Sequence, residues 1–184
     1  QSAQAVAQPG AEDAWVERVE QARLAMAEGQ VRKVVLARSE EYACAEGSFD
    51  AIDTALRMRK QQTGCTVYLV RRANGQAFVG ASPEELIRRK GRDISTMALA
   101  GTRRRAAAEG DDAALGEELL QSVKDRHEQD LVTQAMAEAL LPVVEDLSPS
   151  RSPTVKKLAD VQHLCTHLQA KIRGDADLFS LVDR

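Results

Sequence analysis

Aromatic side chains are scarce in this 184-residue chain: three Phe, two Tyr and one Trp, 3% of the whole. So small a supply argues against a surface that stacks successive bases. With 25 Lys and Arg against 28 Asp and Glu, there is also no general basic surplus to attract a nucleic-acid backbone. Cysteine is equally sparse. Cys44, Cys65 and Cys165 are odd in number and widely spaced, which argues against a disulfide scaffold or zinc knuckle and favours a reducing compartment. No apolar run approaches the roughly 20 residues that cross a bilayer. The opening QSAQAVAQPGAEDAW has neither a basic nor an apolar leader region. The expectation is a soluble, cytoplasmic monomer with no nucleic-acid and no membrane partner.

What is present suits a packed domain. The chain is 43% hydrophobic and 29% charged, and at this length roughly 70% of the unfolded surface can be buried. Gln1 rather than Met at the start, and an ending in the apolar-patterned DADLFSLVDR, read as a piece of a longer protein.

Residues 1–12 are polar and read as a linker or frayed end. Trp15, Val19, Ala22 and Met26 then recur at helical spacing, with Gly29 placed to stop the helix. The β-branched run KVVLAR, Lys33 to Arg38, predicts a strand. Ser48 precedes a second helical stripe of Phe49, Ile52 and Leu56, ending near Gly64. Residues 65–100 predict a meander of antiparallel strands with hairpins at Ala73-Asn74-Gly75 and Gly91, and with Ser82-Pro83-Glu84 at a strand junction. One long helix is expected from about Asp111 to Leu141, ended by Pro142, then a loop over 147–153 and a strand in VQHLCTHLQAKI.

Within the long helix, Leu115, Leu119, Leu120 and Val123 make an apolar stripe that resumes at Leu131, Val132, Met136 and Leu140, but KDRHEQD between them has no apolar residue. Asp125 and Glu128, three apart, share one side of a helix. Such a pair suits Mg²⁺, a hard cation that prefers oxygen and keeps several waters. A solvated face with a Lys124 to Glu128 ion pair is the commoner use of such a run. Lys33 opens a strand, where desolvation would favour its neutral, basic form; a strand-end lysine snorkelling to water is the plainer alternative. Glu84 and Glu85 point to opposite sides of an extended backbone, so one can enter a pocket as a general acid, or both can form a simple acidic turn.

Residues 71–105 carry nine basic side chains against Glu84, Glu85 and Asp93, enough to steer a small polyanion. Within them, Ala100-Gly101-Thr102 offers a backbone N–H and a hydroxyl to a carboxylate. His163 reads either as a neutral donor in the same site or as a satisfied structural residue.

Taken in order, KVVLAR, FVGASPEELIRR, ALAGTRRR, KDRHEQDLV and VQHLCT resemble the chorismate-utilising enzymes, most closely their isochorismate synthase branch. The resemblance implies an α+β fold of large antiparallel sheets flanked by helices, incomplete at the C-terminus, with residues 13–184 forming the N-terminal and central part of a catalytic domain. It implies Mg²⁺-dependent conversion of chorismate to isochorismate, by water addition at C2 and loss of the C4 hydroxyl, serving menaquinone or siderophore synthesis. Lys33 matches the lysine that activates water, and Glu84 the acid that protonates the leaving hydroxyl. Gly101, Thr102 and His163 match substrate contacts, and Glu128 a Mg²⁺ ligand, with Asp125 in the same cluster. Ala98 stands where relatives often have proline, and Val123 where a close relative has glutamate. The family pattern continues past Arg184, which implies that residues 1–184 alone are inactive. A salicylate synthase is the near alternative, and a non-catalytic binding domain the alternative of another class.

Overall fold

The structure is a computed structural model and describes residues 3–44, 47–174 and 176–182. It divides into two compact units, Gln1–Asp50 and Ala51–Arg184.

In the first unit, residues Ala3–Ala5, expected to belong to a linker, form strand β1. It pairs antiparallel with β2, Tyr42–Cys44. Helix α1 spans Ala11–Ala27. Its stop is the one foreseen. Gly29, at φ 72°, donates to the Met26 carbonyl while Gln30 donates to Ala25, a paired closure that a left-handed residue makes possible.

The predicted strand over Lys33–Arg38 is not formed. Residues 33–40 carry no regular secondary structure and Val35 is 82% exposed. β-branched residues fit a sheet surface, but a strand exists only where a neighbour completes its ladder. Among the described residues of this unit, β1 and β2 pair only with each other.

The second unit begins with α2, Ala51–Gln61, lying on a hairpin of β3, Thr66–Arg71, and β4, Ala77–Ser82. The stripe expected to be buried is not. Ile52 and Leu56 are exposed, and Ala51, Thr54, Ala55 and Met58 are the half-buried positions. The meander is likewise interrupted after Ser82. β3 and β4 form a sheet of their own, while β5, Arg88–Lys90, and β6, Asp93–Arg104, belong to a five-stranded antiparallel sheet. Its centre is β9, Val161–Ile172, which pairs with β6 on one side and with β7, Val144–Pro149, and β8, Thr154–Lys157, on the other. Residues 147–149, foreseen as loop, thus belong to β7, and the loop is 150–153.

The expected single long helix is two. α3, Glu109–Gln121, and α4, Val123–Leu140, meet at Ser122, whose ψ of 111° is extended and whose hydroxyl accepts from the Asp125 N–H. Serine is a favoured N-cap because that oxygen satisfies a first-turn amide. The break also turns Val123 outward, 84% exposed, so it leaves the stripe predicted for it. A short α5, Leu178–Val182, follows β9.

The helices cover one face of the sheet. Gln162, Leu164, Thr166, Leu168, Ala170 and Ile172 alternate into that layer and are all buried, as are Ile94, Thr96 and Ala98 of β6 and Leu119 and Leu140 of the helices. Each fully buried leucine contributes about 1.5–3 kcal/mol relative to exposure. The result is an α+β architecture, as predicted, with every strand pair antiparallel.

Candidate active site

The residues picked out near the end of β6 come together. Gly101 forms a bulge: pairing with β9 runs regularly to Ala100 opposite Leu164, then resumes at Thr102 opposite His163. Its φ of 66° is left-handed, a conformation glycine adopts without the Cβ penalty. Space is equally restrictive, since a Cβ here would sit 2.9 Å from Asp125 Cβ and 3.1 Å from Leu119 Cδ1. The bulge brings Thr102 Oγ1 and the Gly101 carbonyl each within 3.1 Å of His163 Nδ1. With Nδ1 protonated, the ring donates to the carbonyl; in the other tautomer it accepts from the hydroxyl. Gly101, Thr102 and His163 are therefore one cluster, able to present a hydroxyl and an imidazole to an anionic or hydroxylated ligand.

Glu84 reaches the same strand from its edge. β5 pairs only with residues 93–95 of β6, so the Leu99 amide faces no strand on that side, and Glu84 Oε1 accepts its N–H at 3.1 Å. The turn that delivers this carboxylate is local. The Ser82 hydroxyl accepts the Glu84 N–H at 3.4 Å and lies 3.3 Å from its carbonyl. Glu85, its neighbour, is tied to Arg88 and to the Ser95 hydroxyl. Arg88 is the largest influence holding its carboxyl below the usual range. Of the two adjacent acids, Glu85 is thus engaged in the fold, and Glu84 stands exposed.

The polar interruption in the helical stripe is mixed: Lys124, Arg126, His127 and Asp130 are exposed, as the commoner solvated-face reading expects, while two of its residues face inward. Asp125 is 5% exposed and Gln129 fully buried on α4. Asp125 pairs with Arg103 at 3.1 Å, and Arg103 also reaches Glu118 at 2.9 Å. The Ser122 hydroxyl and then the Arg103 guanidinium hold the Asp125 carboxyl below its ordinary range, against the opposing cost of burial. Glu128 is partly exposed and 3.6 Å from Lys124. Among the described residues, no three His, Cys, Asp or Glu side chains gather as a metal-binding set. Of the two carboxylates Glu128 is the more open, while Asp125 is buried and held by Arg103.

Lys33 lies in the first unit, half-buried in the irregular stretch that follows α1.

Two groups gave no signal in the sequence. Lys156 of β8, opposite His163, donates to the Pro83 carbonyl at 2.7 Å and lies 3.3 Å from Met97 Sδ. Cys165, opposite Leu99, is 1% exposed; burial pushes its thiol up while the Lys156 charge opposes this. Neither is discernible in TVKK or HLCT, because cross-strand register is a tertiary fact.

The fold is one that known proteins share. The chain belongs to the chorismate binding enzyme family, whose model matches residues 1–184. It is 38% identical over 168 residues to the salicylate biosynthesis isochorismate synthase of Pseudomonas aeruginosa, covering 91% of this chain and 35% of that protein. It is 32% identical over 172 residues to isochorismate synthase MenF of Bacillus subtilis, covering 94% and 36%. Among solved structures it resembles MenF, the menaquinone-specific isochorismate synthase of Escherichia coli, with a TM-score of 0.84 and 28% identity, covering 100% of this chain and 41% of that one. The chain spans about a third of the length of these curated relatives. No helix among the described residues is long and apolar enough to cross a membrane.

Proposed function

We propose that this chain is part of an isochorismate synthase that converts chorismate to isochorismate. The observation that carries the reading is the meeting of Gly101, Thr102 and His163 at the β6 bulge, with the Glu84 carboxylate on the same strand at Leu99. Relatives named as isochorismate synthases support it.

In this proposal Lys33 takes a proton from water as the oxygen bonds to C2 of the ring. The ring double bond shifts, and Glu84 gives a proton to the C4 hydroxyl, which leaves as water. One water enters and one departs, so the product is an isomer of the substrate. Lys33 must be neutral and Glu84 protonated at the start of the step, and each finishes in the opposite state. Thr102 and His163 hold a substrate carboxylate or hydroxyl and fix the ring against Glu84. Glu128 would hold Mg²⁺, and Asp125 would join it only on leaving Arg103. When bound, the cation neutralises a carboxylate of the dianionic substrate.

The test is product analysis after incubating the full-length enzyme with chorismate and Mg²⁺. Isochorismate alone is expected. Salicylate with pyruvate would indicate the salicylate synthase reading instead. Lys33→Ala should lower turnover by at least about 100-fold, the usual contribution of a positioned base. In a thermal-shift assay the same variant should still be protected by chorismate with Mg²⁺. A Lys33→Ala enzyme with undiminished rate would remove the base assignment.

A further inference from the structure

Lys156 has no task in that reaction, yet its surroundings are specific. It is half-buried on β8 opposite His163, and among the described residues no carboxylate forms an ion pair with it. The nearby acids are engaged elsewhere, Glu85 by Arg88 and Ser95 and Glu84 by the Leu99 amide. An ammonium partly withdrawn from water, with no carboxylate in direct contact and the Glu85 charge nearby, is costly unless its donors are well used. Its two partners here are unequal. The Met97 thioether is a weak acceptor, which leaves the Pro83 carbonyl, 2.7 Å away, as the principal one.

That carbonyl is the only backbone handle Pro83 offers, since proline has no N–H to donate. It immediately precedes Glu84, whose own N–H and carbonyl are held by the Ser82 hydroxyl. The turn is thus closed locally by serine and fastened to the sheet by the lysine.

We propose that Lys156 is a positioning residue for Glu84: anchored on β8, its ammonium holds the Pro83 carbonyl and so sets the direction in which the turn presents the carboxyl at Leu99. The catalytic part of this inference rests on the reading of Glu84 as the proton donor. Lysine suits the task because its compact head meets one carbonyl from a long stem lying along the sheet, where a bidentate guanidinium fork has no second acceptor to match.

The experiment compares Lys156→Met, Lys156→Arg and Glu84→Gln in the full-length enzyme, measuring kcat, KM and amide hydrogen exchange at Leu99. Lys156→Met should lower kcat by about 10- to 100-fold, the scale set by a displacement near 1 Å. Its KM should change less than about 3-fold, because the loss falls on the transition state. Its Leu99 amide should exchange at least about 10-fold faster while Leu164 and Leu168 in the same sheet keep their protection, a local opening. Lys156→Arg, which returns a cation and N–H donors without lysine's fit to a single carbonyl, should recover both properties only in part.

If Lys156→Met keeps its rate and its Leu99 protection while Glu84→Gln loses turnover, positioning by Lys156 is overturned and Glu84 stands. If Glu84→Gln keeps turnover, the acid assignment falls, and with it the catalytic part of the inference. If Lys156→Met loses protection throughout β9, its role is general stability, and the proposal is overturned.

Discussion

At the scale of single residues, Gly101 carries two constraints at once. An alanine there would have to hold a left-handed backbone and push a methyl against Asp125 Cβ, which is too close to the α4 backbone to swing aside. The first constraint costs about 1–2 kcal/mol and overpacking adds about 1–3 kcal/mol. Gly101→Ala should therefore lower the urea unfolding free energy by about 2–5 kcal/mol, read as a shift of the midpoint. The same substitution should weaken chorismate protection, because Thr102 and His163 meet only through the bulge. Much of this neighbourhood was legible in the sequence, since Gly-Thr at a strand end and a histidine on an alternating strand are local patterns. The Asp125 to Arg103 ion pair was not. Nothing in KDRHEQD says which guanidinium, 22 residues earlier, will neutralise the aspartate.

At the scale of elements, legibility followed how far each element depends on its own residues. VQHLCTHLQAKI was readable as a strand because it alternates well enough, and β9 occupies that stretch residue for residue. KVVLAR was misleading because β-branched residues describe a surface that fits a sheet and carry no information on whether a partner lies alongside. The helix break at Ser122 was hidden for another reason. Serine is tolerated within helices, so its capping role emerges only where the backbone turns extended at Ser122. β9 also supplies a test of where the core sits. Leu164 is fully buried in the helix-facing row, and Leu164→Ala should cost about 2–5 kcal/mol. Gln169→Ala, on the exposed side of the same strand, should fall within about 0.5 kcal/mol. Equal losses in denaturant titrations would contradict the assigned faces.

Across the second unit as a whole, one charge cluster joins α3, β8 and the residue that follows β6. Asp112 of α3 receives a two-pronged contact from Arg105, at 2.7 and 2.9 Å, and a third from Lys157 of β8 at 2.7 Å. Arg105 and then Lys157 hold its carboxyl far below the ordinary aspartate range. The sign of the pH effect follows. An unfolded aspartate takes up its proton near pH 4, while the folded one stays ionised well below that, so the cluster stabilises the fold fully above about pH 4 and progressively less as acid is added. Thermal melts from about pH 5 to about pH 2 should show a falling Tm, and Asp112→Asn should flatten that fall while lowering the Tm at neutral pH. A variant whose acid dependence matched the parent would exclude Asp112 as its source.

The extra residue at Gly101 also decides which way the rest of β6 looks. Before it, even-numbered side chains such as Ile94, Thr96 and Ala98 enter the helical layer; after it, Thr102 turns to the opposite side and meets His163, while Arg103 and Arg105 dip toward the acids of α3 and α4. Pairing that glycine regularly, with no bulge to absorb it, would exchange the parity of everything downstream. A hydroxyl would be driven among the leucines, and two guanidinium groups set loose on the face that carries His163.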